Sequence, residues 1–319
     1  MTLTQTALLT RRAILTLGIL SLLIILTTVG SNLYYRYQLA QIPPVEEIAE
    51  NKFGTLPNIN FPATTVSSSN FAYSIDTNTG ELPQVPKFIK VYFIPQAGLT
   101  LLAPDRAREL ASKLDFNIGP QTEDPNTYTF SNEQGGKLII NILSGNFSYQ
   151  KSSSSSAQPA DLPDKDSLVS QFKTYLSSKI QLPPELERGR DNVVDNTVTF
   201  WPDHIDNLPI ITAEYLFGLI KGKAITKDNG ELGFDDVTYT FWPTDLTSSS
   251  TYQLKNPNEA LDDLKNGAGF ISRHNSSALV SITSVSLAYY QSQTYTPYLQ
   301  PVYIFEGPSF IALVPAIKN

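Results

Sequence analysis

Apolar positions follow two regimes along this chain. From Ala13 to Leu33 they run unbroken by charge, as AILTLGILSLLIILTTVGSNL; afterwards they recur in short stretches separated by Gly, Pro, Ser and Asn. At 1.5 Å per residue the first run makes a helix of about 31 Å, close to the roughly 30 Å hydrocarbon core of a bilayer. Arg11 and Arg12 precede it, while Glu46, Glu47 and Glu50 follow. This asymmetry predicts an inside amino terminus and an outside body. Tyr34, Tyr35 and Tyr37 suit the headgroup layer. The competing reading is a cleaved export signal, but no small-x-small site follows Gly30, so an uncleaved anchor is expected.

Beyond the anchor, residues 34–62 hold Pro43, Pro44, Pro57 and Pro62 with little periodicity and read as a stalk. Phe88–Ile94, Thr127–Phe130, Lys137–Leu143 and Phe147–Tyr149 are predicted strands. Ala107, Leu110, Ala111 and Leu114 share one face of a predicted helix at 105–114. Ser152–Ser156 marks a flexible link over 151–163. Leu168, Phe172, Tyr175, Leu176 and Ile180 then predict a helix capped by Asp164 or Asp166 and stopped at Pro183-Pro184. Further strands are expected at Thr197–Trp201, Ile210–Leu219, Lys223–Thr226, Thr238–Trp242, Val280–Tyr290, Pro301–Glu306 and Phe310–Val314. Lys227-Asp-Asn-Gly230 reads as a tight hairpin turn. Asn256, Pro257, Glu259 and Gly267 outline a short helix with a capping box.

TYTF at 127–130, TVTFWP at 197–202 and TYTFWP at 238–243 form a weak internal echo. The pattern predicts an α+β class: an N-terminal transmembrane helix, then two units, each an antiparallel sheet with helices on one face. The expected divisions are 1–12 cytoplasmic, 13–33 transmembrane, 34–62 stalk, 63–150 first unit, 151–163 linker and 164–319 second unit.

Composition narrows the chemistry. All 30 acidic residues and 21 of the 23 basic ones follow the apolar run, leaving that part of the chain at −9. Such a charge disfavours nucleic acid as a partner. The chain has no cysteine, which excludes disulfides, thiolate chemistry and lipoprotein anchoring.

Of the two histidines, His204 stands in a Trp-Pro-Asp-His-Ile-Asp turn and His274 in Ser-Arg-His-Asn-Ser. Neither has a third group spaced to build a triad or a metal site. Asp76-Thr-Asn-Thr-Gly80-Glu81 resembles half a calcium loop, but it lacks the closing Glu at the twelfth position and reads as a turn. Asp235-Asp236 and Asp262-Asp263 are adjacent pairs, whose side chains diverge and cannot straddle a glycosidic bond. No catalytic residue, cofactor or metal is therefore expected. Tyrosine is dense between Leu287 and Gly307, and Tyr289, Tyr295 and Tyr298 are candidates for a recognition surface, core packing being the competing reading.

The helix Pro257-Asn-Glu-Ala-Leu-Asp-Asp-Leu-Lys-Asn-Gly267, the stretch Val285-Ser-Leu-Ala-Tyr-Tyr290 and the stretch Leu299-Gln-Pro-Val-Tyr-Ile-Phe-Glu-Gly307 resemble YycH/YycI-type two-component regulatory proteins and PepSY-like modules over roughly 165–315. The resemblance implies an exported, non-enzymatic body that binds an envelope protein, such as a sensor kinase governing wall metabolism. The expectation is thus a single-pass protein of the bacterial cell membrane with an extracytoplasmic, regulatory, protein-binding body. The alternatives are a carbohydrate- or peptide-binding envelope module and a carboxylate-dependent envelope hydrolase.

Overall fold

The computed structural model describes residues 27–31, 48–96, 98, 100–151, 162–227 and 230–318. The chain divides into two compact units, 1–48 and 49–319. In the first, residues 27–31 are helical; the remainder of the apolar run 13–33 lies outside the described residues. Among the described residues no helix is long and apolar enough to cross a membrane.

The expected class is corrected by the second unit, which is mostly β, with its strands in three sheets. The first sheet has eight strands, all antiparallel. In spatial order these are β3 (Ile118–Asp124), β4 (Thr127–Ser131), β5 (Lys137–Asn141), β6 (Phe147–Gln150), β11 (Leu232–Tyr239), β10 (Ile220–Thr226), β8 (Thr197–Phe200) and β7 (Asp191–Val194). Pairing of β6 with β11, Val237 opposite Tyr149, joins the two sides of the expected linker in one sheet. Two of the echoed motifs are the strands β4 and β8 of that sheet and the third is only the end of β11, so they are not the marks of repeated units. Local periodicity identifies a strand but not its partner, which is why the two-unit reading failed.

Helices α1 (Ala103–Lys113) and α2 (Lys165–Lys179) cover this sheet. Asp164 caps α2, its carboxylate accepting from the Ser167 N–H at 3.1 Å. Pro183 and Pro184 do end α2, but they also open a one-turn helix, α3 (Pro184–Glu187). Ala107, Ala111 and Leu114 on one side and Leu168, Phe172 and Leu176 on the other meet the inward residues of the strands. Phe172 is wholly enclosed, and it fits because Gly222 on β10 has no side chain. A Cβ at Gly222 would lie 2.6 Å from the ring.

The second sheet runs β12 (Asp245–Gln253), β2 (Phe88–Phe93), β16 (Tyr298–Gly307), β15 (Ser284–Tyr290), β9 (Ile210–Ile211), with β17 (Phe310–Pro315) also on β16 and β13 (Phe270–Arg273) on β17. Along one edge, β16 pairs first with β2 at Tyr298 and Leu299, then with β17 from Val302 onward. Pro301 sits at the changeover, where its missing N–H costs no ladder bond. A separate parallel pair joins β1 (Ala72–Ile75) and β14 (Leu279–Ile282). Helix α4 (Pro257–Lys265) packs here, with the expected capping box of Asn256 and Glu259 present.

The eight-stranded lobe is inserted into the second. The chain leaves β2 through 94–102 and returns to β12 through 240–244. A further excursion, 201–219, brings β9 back to β15. Polar contacts hold the lobes together there. The Tyr92 hydroxyl donates to Asp206 at 2.6 Å, Arg190 donates to the Ile210 carbonyl at 2.9 Å, and the Tyr215 hydroxyl donates to Glu306 at 2.5 Å.

The expected stalk is also corrected where it is described. Residues 49–62 lie along the body: Asn51 N–H donates to the Thr251 carbonyl, Phe53 stacks on Tyr298 at 4.9 Å, and Phe61 stacks on Phe270 at 5.1 Å. A turn at Asn51–Gly54 opens this strap, and its apolar residues Leu56, Ile59 and Phe61 pack on the core. Residues 34–47, and 152–161 of the expected linker, lie outside the described residues.

Candidate functional site

The segment leading from β2 into α1 is unusual in what it exposes. Leu101 is 99% exposed and Leu102 is 58% exposed. Leu102 also occupies the N-cap of α1, where no side chain accepts from the first-turn N–H groups. Leucine is among the poorest residues for that position. Two adjacent exposed leucines at a helix start thus break two local rules together, the pattern expected where function overrides stability.

Beside them lies a cleft of about 440 Å³. Its floor is apolar, formed by Ala103, Ala107 and Leu110 of α1, Ile140 of β5, and Ile142 and Ile180. Its rim carries Arg106, Lys113 and Lys179 against one anion, Glu109. Lys113 pairs with Glu109 at 2.8 Å, and this contact lowers the Glu109 pKa from its ordinary range. Lys179 reaches from the end of α2 to donate to the Lys113 carbonyl at 2.6 Å, so a cation sits at the negative end of α1. Arg106 is exposed and has no ion-pair partner among the described residues. The rim is therefore a cationic spot on a chain of net charge −7.

The loop Asn141–Asn146 forms one wall. Asn141 holds it, its side-chain oxygen accepting from the N–H groups of Leu143 and Ser144 and from the Ser144 hydroxyl. Asn146 is buried, with its oxygen accepting from the Phe241 N–H at 2.9 Å and its Nδ2 without a partner. An unpaired buried amide is costly, so this wall is incompletely satisfied by the protein's own contacts.

Across that loop is a second, smaller cavity of about 120 Å³ at the lobe junction. Pro95, Phe241, Trp242, Pro243 and Tyr295 line it, and Leu143 and Ser144 line both cavities. Trp242 and Tyr295 meet edge to face at 5.6 Å. Their polar tips are fixed: the indole N–H donates to the Ser292 carbonyl at 3.0 Å, and the Tyr295 hydroxyl to the Ile94 carbonyl at 2.8 Å.

The tyrosines expected to form a recognition surface are not brought together on one. Tyr289 is wholly buried, its hydroxyl donating to the Lys90 carbonyl at 3.0 Å, and burial pushes its pKa up. That position is core, because β15 lies between β16 and β9. Tyr298 is half-buried between Phe53 and Phe93. Tyr295 lines the smaller cavity. His204 and His274 are both exposed and, among the described residues, meet only local polar partners; His204 lies 3.7 Å from Asp203, and His274 contacts the Asn275 carbonyl.

Asp76–Glu81 forms a turn in which the Thr77 hydroxyl donates to the Glu81 carbonyl. Asp263 pairs with Lys255 at 2.7 Å and Asp262 with Lys265 at 3.5 Å, so that acidic pair does diverge. Among the described residues no three His, Asp or Glu side chains gather into a metal-binding group. Among the described residues, hydrogen bonds hold the carboxyls of Glu109, Asp124, Asp245 and Glu259 below their ordinary pKa range, the wrong direction for a general acid. Sequence reasoning missed the exposed pair Leu101–Leu102 and the cleft beside it, whose one visible signal was an apolar pair outside both the strand and the helix period.

No family model matches this chain, and no curated protein does. A crystal structure of an uncharacterized protein from Eubacterium rectale ATCC 33656 is similar at 13% identity, over 76% of this chain and 87% of that one, with a TM-score of 0.28. A likeness that slight implies neither a shared fold nor a shared activity.

Proposed function

We propose that this chain is a non-catalytic binding protein of the bacterial envelope, held at the membrane with its body outside, and that the body docks on another envelope protein to regulate it. The observation that carries this reading is the pair Leu101–Leu102 standing in solvent beside a cleft with an apolar floor. Scattered single exposed leucines, such as Leu246 and Leu279, are ordinary on a protein surface. An adjacent pair next to a concave apolar surface has the anatomy of an interface core inside a polar rim. The charge-free run Ala13–Leu33 supports the location, and tethering would raise the effective concentration of membrane partners. The YycH/YycI-like motifs at 257–267, 285–290 and 299–307 support a regulatory partner such as a sensor kinase or a wall-metabolism complex.

The test is a photo-crosslinking amino acid placed at Leu101, with Leu279 as the matched exposed control, in intact cells. One membrane protein captured from position 101 and absent from position 279 is the expected result. Equal background at both positions would overturn the reading.

A further inference from the structure

We infer that the α1 cleft and the junction pocket form one two-part site for a short acidic peptide segment of a partner protein, with a carboxylate meeting Arg106 and a bulky apolar side chain entering the pocket walled by Trp242 and Tyr295. This deepens the docking reading and rests on it.

Three observations select that occupant. Leu143 and Ser144 line both cavities, so a single extended segment crossing Ser144 reaches each of them. The cleft rim sets three cations against one anion, with Arg106 uncommitted, so charge complementarity favours carboxylates over a basic or neutral ligand. The junction pocket, at about 120 Å³, is well below the roughly 300–1,000 Å³ of small-molecule sites and suits one anchoring side chain. Its rings are held by fixed hydrogen bonds, so an entering side chain meets a preformed wall. A concave two-part surface of this kind separates a peptide from an anionic bilayer, which would use Leu101 and the rim cations but not Trp242.

A library of displayed random twelve-residue peptides panned against the full chain in nanodiscs tests this directly. The recovered sequences should share Asp or Glu within a few positions of Leu, Phe or Trp. Synthetic copies should change the fluorescence of Trp242, a signal abolished in Trp242→Phe, and should bind Arg106→Glu and Ser144→Trp at least tenfold more weakly. Lys265→Glu, on α4, should leave binding unchanged and controls for folding and net charge. Recovery of basic or uncharged peptides, recovery of none, or indifference to Arg106→Glu and Ser144→Trp would overturn the inference. So would binding of phosphatidylglycerol vesicles by the detergent-solubilised chain with the same dependence on Arg106 and on Trp242. The two proposals fail separately: a partner captured from position 101 through a stretch without acidic residues sinks this inference and leaves docking intact, whereas no capture at all sinks docking.

Discussion

Two regions crowded with large apolar side chains use them in opposite ways. On β15 and β16, Tyr289, Tyr303 and Phe305 are wholly enclosed, and the Tyr303 hydroxyl donates to the Lys255 carbonyl. At the start of α1, Leu101 and Leu102 face solvent, and their chain neighbours Thr100 and Ala103 line a cleft. The tyrosines carry a polar tip that a neighbouring carbonyl can satisfy, so burial costs them little and packing claims them. The leucines have no such tip and lose most by exposure. Aromatic density therefore marked the interior, whereas two misplaced aliphatic residues mark the surface proposed for docking.

Truncation on the two sides breaks or upholds that contrast most strongly. Tyr289→Ala should destabilise by roughly 3–5 kcal/mol, the range for emptying a large aromatic site in a core. Leu101→Ala should stay within about 0.5 kcal/mol of the parent, as for surface changes that touch nothing. Urea unfolding followed by circular dichroism measures both. Comparable losses at the two positions would mean that Leu101 has structural partners, and its exposure would then lose its functional meaning.

Much of the local structure was legible in the sequence. Alternation located β2, β4, β5, β6, β8, β16 and β17, and spacing located α1, α2 and α4 with their Asp164 and Asn256 caps. The stretch 210–219 reads as one strand but pairs only at Ile210 and Ile211, because Thr212 turns away to bond the Glu214 and Phe217 carbonyls. β12 was illegible: its Asp-Leu-Thr-Ser-Ser-Ser run has little apolar periodicity, and it is a strand because it pairs with β2 and receives the 49–54 strap. β3 was hidden by Gly119 and Pro120. The candidate site escaped because it is assembled from α1, the 141–146 loop and the 240–244 return, which are distant in the chain.

A smaller effect sharpens the comparison at Leu102. Replacing it with Asp puts an anion at the positive end of α1 and removes an exposed leucine. Stability should rise by about 0.3–1 kcal/mol from the helix dipole. The backbone there is helical, with ψ −4°, rather than extended as at a capping Asn or Asp, so little is added by a side-chain cap. Capture of a partner from position 101 should fall in the same variant. Greater stability with weaker capture is the signature of a residue kept for binding. If both fall, Leu102 supports the fold and the contrast between the two regions narrows.

The smallest effect compares the two helix starts themselves. Helix α4 has what α1 lacks: Asn256 accepts from the Glu259 N–H at 2.9 Å, and Glu259 accepts in return from the Asn256 N–H at 2.9 Å. Glu259 also pairs with Lys318 at 2.7 Å, and that contact first, then the Asn256 N–H, lowers its pKa below the ordinary 4.5. A carboxyl whose pKa is depressed on folding stabilises the native state fully above its unfolded value and loses that contribution as pH falls through the folded one. Amide exchange at residues 258–260 should therefore stay slow above about pH 4.5 and quicken at lower pH, beyond the intrinsic change in exchange rate. Glu259→Gln should remove that dependence while keeping the helix. The first turn of α1 bears Asp105 but no capping side chain, so the corresponding amides should show no matching transition. A transition of equal size in α1 would show that its start is held by a carboxylate after all, and Leu102 would no longer mark an uncapped end.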